Sequence, residues 1–167
     1  MSCISWNWQG VRSPSTIPNL KCLNRTYKPD VIILFETLCL SNKIEELKYI
    51  LNLDSCFSVD WEGRGGGIAI LWRNSISSNI TNYSQNHVDL EVKDNQKGMW
   101  RLTRFYGFPE GGRRKASWNF LRNLANLSSL PWCVIGDFND ILHVSEKKGR
   151  TDRPNWRTHT RINTIGM

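Results

Sequence analysis

Four oxygen-bearing side chains stand directly after short apolar runs: Asn7 after CISW, Glu36 after VIILF, and Asp137 with Asn139 after WCVIG. The carboxyl ends of strands in α/β sheets are where sites assemble, so these residues are expected to meet along one edge. Taken singly, each is equally an ordinary cap or turn former. The phrase GDFND is more pointed, because an acid and an amide two positions apart share one face of extended chain. Oxygen ligands suit Mg²⁺, which keeps several waters and asks few carboxylates of the protein. Such an ion polarises a phosphoryl oxygen and neutralises charge on the leaving group. The chemistry within reach is therefore hydrolysis of a phosphate ester.

The elements that must position these residues are legible as alternating short runs. Strand-type segments recur at Cys3–Trp6, Val31–Phe35, Phe57–Trp61, Gly67–Trp72, Val88–Val92, Trp100–Tyr106 and Trp132–Ile135, each bounded by Gly, Pro, Asn or Ser. Helical patterns lie between some of them: Ile17–Tyr27 after Pro14, Lys43–Leu51 behind Ser41 as a cap, and Arg114–Leu127 with Trp118, Leu121, Leu124 and Ala125 on one face. Val31–Phe35 and Trp132–Ile135 are almost wholly apolar, which suits strands covered on both faces. The stretch 77–94 alternates instead and predicts antiparallel strands with one wet face. The glycines at 63 and 65–67 lack Walker spacing and its Lys-Ser/Thr ending, so they are expected to form a turn entering a strand.

Bulk properties narrow the class. The 167 residues suit one domain, and a 40% apolar composition with eight Trp supplies a core. No apolar stretch approaches the roughly 20 residues of a spanning helix, and the opening MSCISWNWQG lacks a signal-peptide pattern. The expectation is a soluble intracellular protein, not secreted and without a membrane partner. Five cysteines without a C-x-x-C pair suggest buried, reduced thiols, with neither a disulfide framework nor zinc. A net charge of +7 favours a polyanion such as nucleic acid, and Arg113, Arg114, Lys115, Lys147, Lys148 and Arg150 are the candidate contacts. A solvated basic surface is the plainer alternative.

The ordered motifs SWNWQG, FET, FYG and GDFN resemble the endonuclease/exonuclease/phosphatase superfamily. The phrases FSVDWEGRGGGIAILW, WRLTRFYGFPEGGRRKASWNFL and LPWCVIGDFNDIL are similar to plant LINE-type retrotransposon endonucleases, over about Ile4 to Trp156. The resemblance implies an α/β fold, a layered sandwich of two β-sheets flanked by helices. It implies Mg²⁺, with Mn²⁺ as a substitute, and DNA as partner. A reverse transcriptase fused in the parent element, absent from this chain, is compatible with it, and a nuclear destination suits the chemistry. Carried over by position, Asn7 orients the metal cluster and the scissile phosphate, and Glu36 is the principal Mg²⁺ ligand. Tyr106 donates to the phosphate, Asp137 orients or deprotonates the attacking water, and Asn139 holds a phosphate oxygen.

Two departures qualify the resemblance. Trp8 and Gln9 stand where relatives often have Cys and Arg, and the family's later Asp and terminal Ser-Asp-His motif are missing. Residues 1–142 are accordingly expected to be the N-terminal part of such a domain, with the second half of the sandwich incomplete, and 143–167 a basic polar tail beginning the truncated remainder. His143 and His159 are weak substitutes for the missing His, and His87 lies in a strand pattern far from the motifs. The leading expectation is an Mg²⁺-dependent DNA endonuclease impaired by truncation. The alternatives are a non-catalytic remnant that binds nucleic acid and a phosphatase for a small phosphorylated molecule.

Overall fold

The computed structural model describes residues 1–8, 15–60, 66–94 and 97–140. Two four-stranded sheets, each built from one continuous half of that chain, pack face to face. The first contains β1 (Cys3–Asn7), β2 (Val31–Phe35), β3 (Ser55–Val59) and β4 (Ile68–Trp72), in the order β1-β2-β4-β3. Helices α1 (Thr16–Tyr27) and α2 (Ser41–Leu51) belong to the same half. The second sheet contains β5 (Ser77–Ser84), β6 (His87–Asp94), β7 (Gly98–Tyr106) and β8 (Trp132–Asp137) in chain order, with α3 (Arg114–Ala125) between β7 and β8. Both sheets are mixed. β1 pairs parallel to β2 and β7 parallel to β8, each across a helical crossover, and the other pairings are antiparallel.

Side-chain alternation along the strands divides the core into three layers. Ile32, Leu34, Ala69 and Leu71 face outward from the first sheet onto Leu20 of α1 and Ile44, Leu47 and Leu51 of α2. Val31, Ile33, Ile68 and Ile70 face inward, against Val88, Leu90, Val92 and Leu102 of the second sheet. Phe105 packs outward under Trp118, Leu121 and Leu124 of α3. At about 1.5–3 kcal/mol for each fully buried aliphatic side chain, the central layer is a principal source of stability.

The second sheet also buries charge. Arg101 Nη2 donates to Asp89 Oδ2 at 2.7 Å and its Nη1 to the Leu124 carbonyl at 2.9 Å. Thr103 Oγ1 donates to Asp89 Oδ1 at 2.5 Å and accepts from Trp132 Nε1 at 2.7 Å. A buried ion pair is tolerated when its remaining polar atoms are satisfied in this way.

Several local expectations are corrected. Leu40, rather than Ser41, occupies the N-cap of α2, and no side chain caps that helix. α3 stops at Ala125, which is exposed. The strand expected at Phe57–Trp61 runs Ser55–Val59, and Trp61 lies outside the described residues. The hairpin at 77–94 is antiparallel as expected, but only β5 has a wet face. β6 buries His87 and Asp89 as well as its apolar residues, because α3 covers its other side. β8 has apolar partners on both faces yet remains half-buried, since it is the outermost strand of its sheet. All five cysteines are free, but none is fully buried as expected: Cys22 is exposed and the other four are half-buried. Among the described residues no helix is long and apolar enough to cross a membrane.

Candidate active site

Parallel pairing fixes which residues emerge together. Asn7 lies opposite Phe35 at the ends of β1 and β2, so the next residue, Glu36, leaves the sheet beside it. Tyr106 lies opposite Asp137 at the ends of β7 and β8. Phe35, Glu36, Gly66 and Gly67 from the first half and Asn86, Arg104 and Tyr106 from the second line one cleft of about 440 Å³ between the sheets.

The backbone departs from strand geometry where the chain enters the cleft. Glu36 has φ 54° and Leu38 φ 48°, the left-handed region that side chains with a Cβ rarely adopt. The turn is held against the strand that follows, the Thr37 and Leu38 N–H groups donating to the Gly67 and Gly66 carbonyls at 3.4 Å each. Gly66 at φ 106° and Gly67 at φ 84° supply the conformations that facing turn needs and lead into β4, as expected of the cluster, whose Gly63 and Gly65 lie outside the described residues.

Asp137 ends β8, but Asn139 has left the extended chain that their spacing suggested for both. Asn139 has φ 51°, and its N–H donates to Asp137 Oδ1 at 2.9 Å, closing an Asx-type turn. Asn139 Nδ2 donates to the Gly107 carbonyl at 2.7 Å, while the Gly107 N–H donates to the Asp137 carbonyl at 2.8 Å. The two strand ends are thus tied to each other. Tyr106 is fixed by Asn86, which accepts its N–H at 2.8 Å and donates Nδ2 to its carbonyl at 3.2 Å.

One cation sits among these groups. The Arg104 guanidinium is fully buried, 4.2 Å from the centroid of the Phe35 ring. Burial pushes its pKa down to about 10, while Asp137, Tyr106 and Glu36 act in the opposite direction. The arginine therefore senses both carboxylates, one from each sheet. Neither Arg104 nor Asn86 was singled out from sequence. Arg104 was accessible in principle, as it shares the inward face of β7 with Leu102 and Tyr106.

The donor set suits a hard divalent cation. Asn7 Oδ1 is buried with no hydrogen-bond partner, an orphaned acceptor beside the strand that delivers Glu36. Among the described residues there is no cluster of three or more His, Cys, Asp or Glu. The two groups that could hold an ion, the Asn7 amide and the Glu36 carboxylate, are oxygen donors of the kind Mg²⁺ takes.

Other expected residues fall elsewhere. Arg113, Arg114 and Lys115 lie where α3 begins, beyond the loop that leaves the Tyr106 end of β7. Arg113 stacks 3.8 Å from the Phe108 ring centroid and Arg114 donates to the Pro109 carbonyl. Trp8 belongs to the core, and its N–H donates to the Phe35 carbonyl at 2.9 Å. His87 is close to the site in sequence terms, adjoining Asn86, but its ring packs edge-on against Phe120 on the far side of the sheet. Gln9, His143, Lys147, Lys148, Arg150 and His159 lie outside the described residues.

Comparison with solved structures supports the architecture. A Danio rerio TDP2 humanized by 14 mutations superposes with a TM-score of 0.61 at 20% identity, covering 87% of this chain and 68% of that one. D. rerio TDP2 complexed with a single strand DNA product gives 0.60 at 19% identity, covering 84% and 61%. A mannosyl-6-phosphatase of Bacteroides thetaiotaomicron gives 0.63 at 15% identity, covering 87% and 68%. The chain thus spans between 61% and 68% of these three structures. No curated protein matches it significantly in sequence. The profile of the endonuclease/exonuclease/phosphatase family matches residues 5–166, nearly the whole chain, and to that family this protein belongs.

Proposed function

We propose that the chain carries the site of a Mg²⁺-dependent phosphodiesterase acting on DNA, of the kind found in retrotransposon endonucleases. The observation that carries this reading is a cleft between the sheets lined by Glu36 from one and Tyr106 from the other, with the buried Arg104 in its wall beside Gly136, the residue before Asp137. Asn7 and Glu36 would hold the ion, which supplies charge neutralisation at the phosphoryl oxygens and the leaving group. Asp137 keeps one carboxylate oxygen on the Asn139 N–H and has the other to take a proton from the attacking water. The Asn139 amide uses one N–H on Gly107 and retains the second for a phosphate oxygen. The Tyr106 hydroxyl donates to another, giving the preorganised donors that phosphoryl transfer needs.

DNA as the substrate is supported by the +7 net charge and by the basic start of α3 at the site end of the sandwich. The single-stranded DNA product bound to the zebrafish TDP2 structure is consistent with it.

The test is nicking of supercoiled plasmid by the purified protein with Mg²⁺ or Mn²⁺, with EDTA, and with Glu36→Ala and Asp137→Ala. Nicking should require the metal and fall at least about 10²-fold in each variant. Plasmid left intact by folded wild-type protein would overturn the reading. Hydrolysis of a soluble phosphomonoester without nicking would move the assignment to the phosphatase branch.

A further inference from the structure

β7 carries two buried arginines three positions apart, and the fold treats them in opposite ways. Each guanidinium nitrogen of Arg101 donates, to Asp89 or to the Leu124 carbonyl. Arg104 is 0% exposed, and its Nε, Nη1 and Nη2 all lack a hydrogen-bond partner. The guanidinium lies over the Phe35 ring, 6.0 Å from the Tyr106 ring centroid, and so close to Gly136 that a Cβ there would stand 2.7 Å from Nη1. Phe35 and Gly136 immediately precede Glu36 and Asp137. The cation therefore sits against the residues that precede both carboxylates, and it lines the cleft together with Glu36 and Tyr106.

Leaving a charged donor set unpaired in the interior is costly, and an aromatic face recovers only part of that cost. Arg101 shows that this sheet can satisfy a guanidinium when the role is structural. Even at a pKa of about 10 the Arg104 side chain is protonated at neutral pH. Carboxylates alone would repel a phosphate, and a fixed cation near them lowers that barrier. The planar fork of arginine matches phosphate oxygens in pairs.

We propose that Arg104 is a phosphate-binding residue of the cleft, donating to a non-bridging oxygen of the substrate's phosphate group independently of any metal ion. This rests on the reading of the cleft as a phosphate-ester hydrolase site, and adds to it a residue with its own binding function.

The experiment uses inorganic phosphate as the probe, in EDTA, with the whole chain. The Nε–H resonances of the arginines are followed by ¹⁵N NMR, with Arg104→Lys identifying the signal, and phosphate affinity and melting temperature are compared with Arg104→Met. Phosphate should move the Arg104 resonance and leave that of Arg101 in place. Arg104→Met should bind phosphate at least tenfold more weakly and melt higher, because an unsatisfied buried charge has been removed. A structural arginine would give the reverse, a lower melting temperature with phosphate binding unchanged, and that result overturns the proposal. If Arg104→Met does not fold, the wild-type titration decides alone, since an Arg104 signal unmoved at saturating phosphate is equally fatal. Phosphate held by Arg104 in a protein that never nicks DNA would sink the endonuclease reading only. Nicking by a protein whose Arg104 ignores phosphate would sink this one only.

Discussion

Glu36 and Asn139 hold positive φ values where the chain turns off β2 and β8, and neither is a glycine. Such strain persists only where surroundings over-determine it, here the Gly66–Gly67 turn and the Gly107–Asp137 ties. Asn7, Glu36, Asp137 and Asn139 stand out in the sequence because they follow apolar runs, and Tyr106 only through the FYG motif of the family resemblance. Their turn geometry does not, since it depends on hydrogen bonds to residues far away in the chain. His87 illustrates the same gap: its position in a strand was visible, its neighbours were not. Its Nδ1 meets Ser84 Oγ at 2.7 Å, its Nε2 is buried without a partner, and burial lowers its pKa below 6.5, with Arg101 assisting and Asp89 opposing. The folded state therefore binds fewer protons at this ring than the unfolded state does. Its neutral form costs nothing above the unfolded pKa of about 6.5, and stability is lost as pH falls from there toward the lower folded value. The melting temperature should accordingly drop between pH 7.5 and 5.5, and by less in His87→Gln. An identical drop in that variant would show that His87 is not the group responsible.

At the scale of elements, the parallel β7–β8 pair is what brings Tyr106 and Asp137 side by side, and Gly107 is its tightest point. A Cβ on Gly107 would collide with the Phe138 carbonyl, directly between Asp137 and Asn139. Gly107→Ala should destabilise the fold by about 1–3 kcal/mol, the range for overpacking. It should also reduce nicking beyond what unfolding explains, because the Asp137–Asn139 turn is pushed outward. Denaturant melts paired with nicking rates at a temperature where the variant stays folded would check this, and wild-type rates in that folded variant would refute it. The strands themselves were legible from short apolar runs bounded by turn residues, and β2 coincides with its expected span. Boundaries drifted where tertiary contacts decide them. α2 begins without a side-chain cap, and β6 carries the polar His87 and Asp89 into the interior because α3 and Arg101 receive them. A polar residue in an alternating pattern reads as wet unless its buried partner is known.

For the molecule as a whole, the basic excess acts at longer range than any single contact. If DNA is held chiefly through its phosphates, affinity should fall linearly on a log–log plot as salt rises, losing about 0.9 of slope for each phosphate contact removed. Replacing Arg113 and Lys115 with Ala together should flatten that line, as followed by fluorescence anisotropy. An unaltered slope would assign the DNA surface elsewhere. The fold class was legible from the sequence because runs such as VIILF require cover on both faces, whereas the pairing order β1-β2-β4-β3 is set by which edges meet, which no local pattern encodes. That order has a further consequence for how the chain is made. Among the described residues the first sheet uses Cys3 to Trp72 and the second Ser77 to Asp137, and no strand crosses between them. On a ribosome adding 5–20 residues per second, completion of the second sheet trails that of the first by roughly 3–13 s. Throughout that interval the nascent chain presents one wall, faced with Val31, Ile33, Ile68 and Ile70, for which the opposite wall has not yet been synthesised.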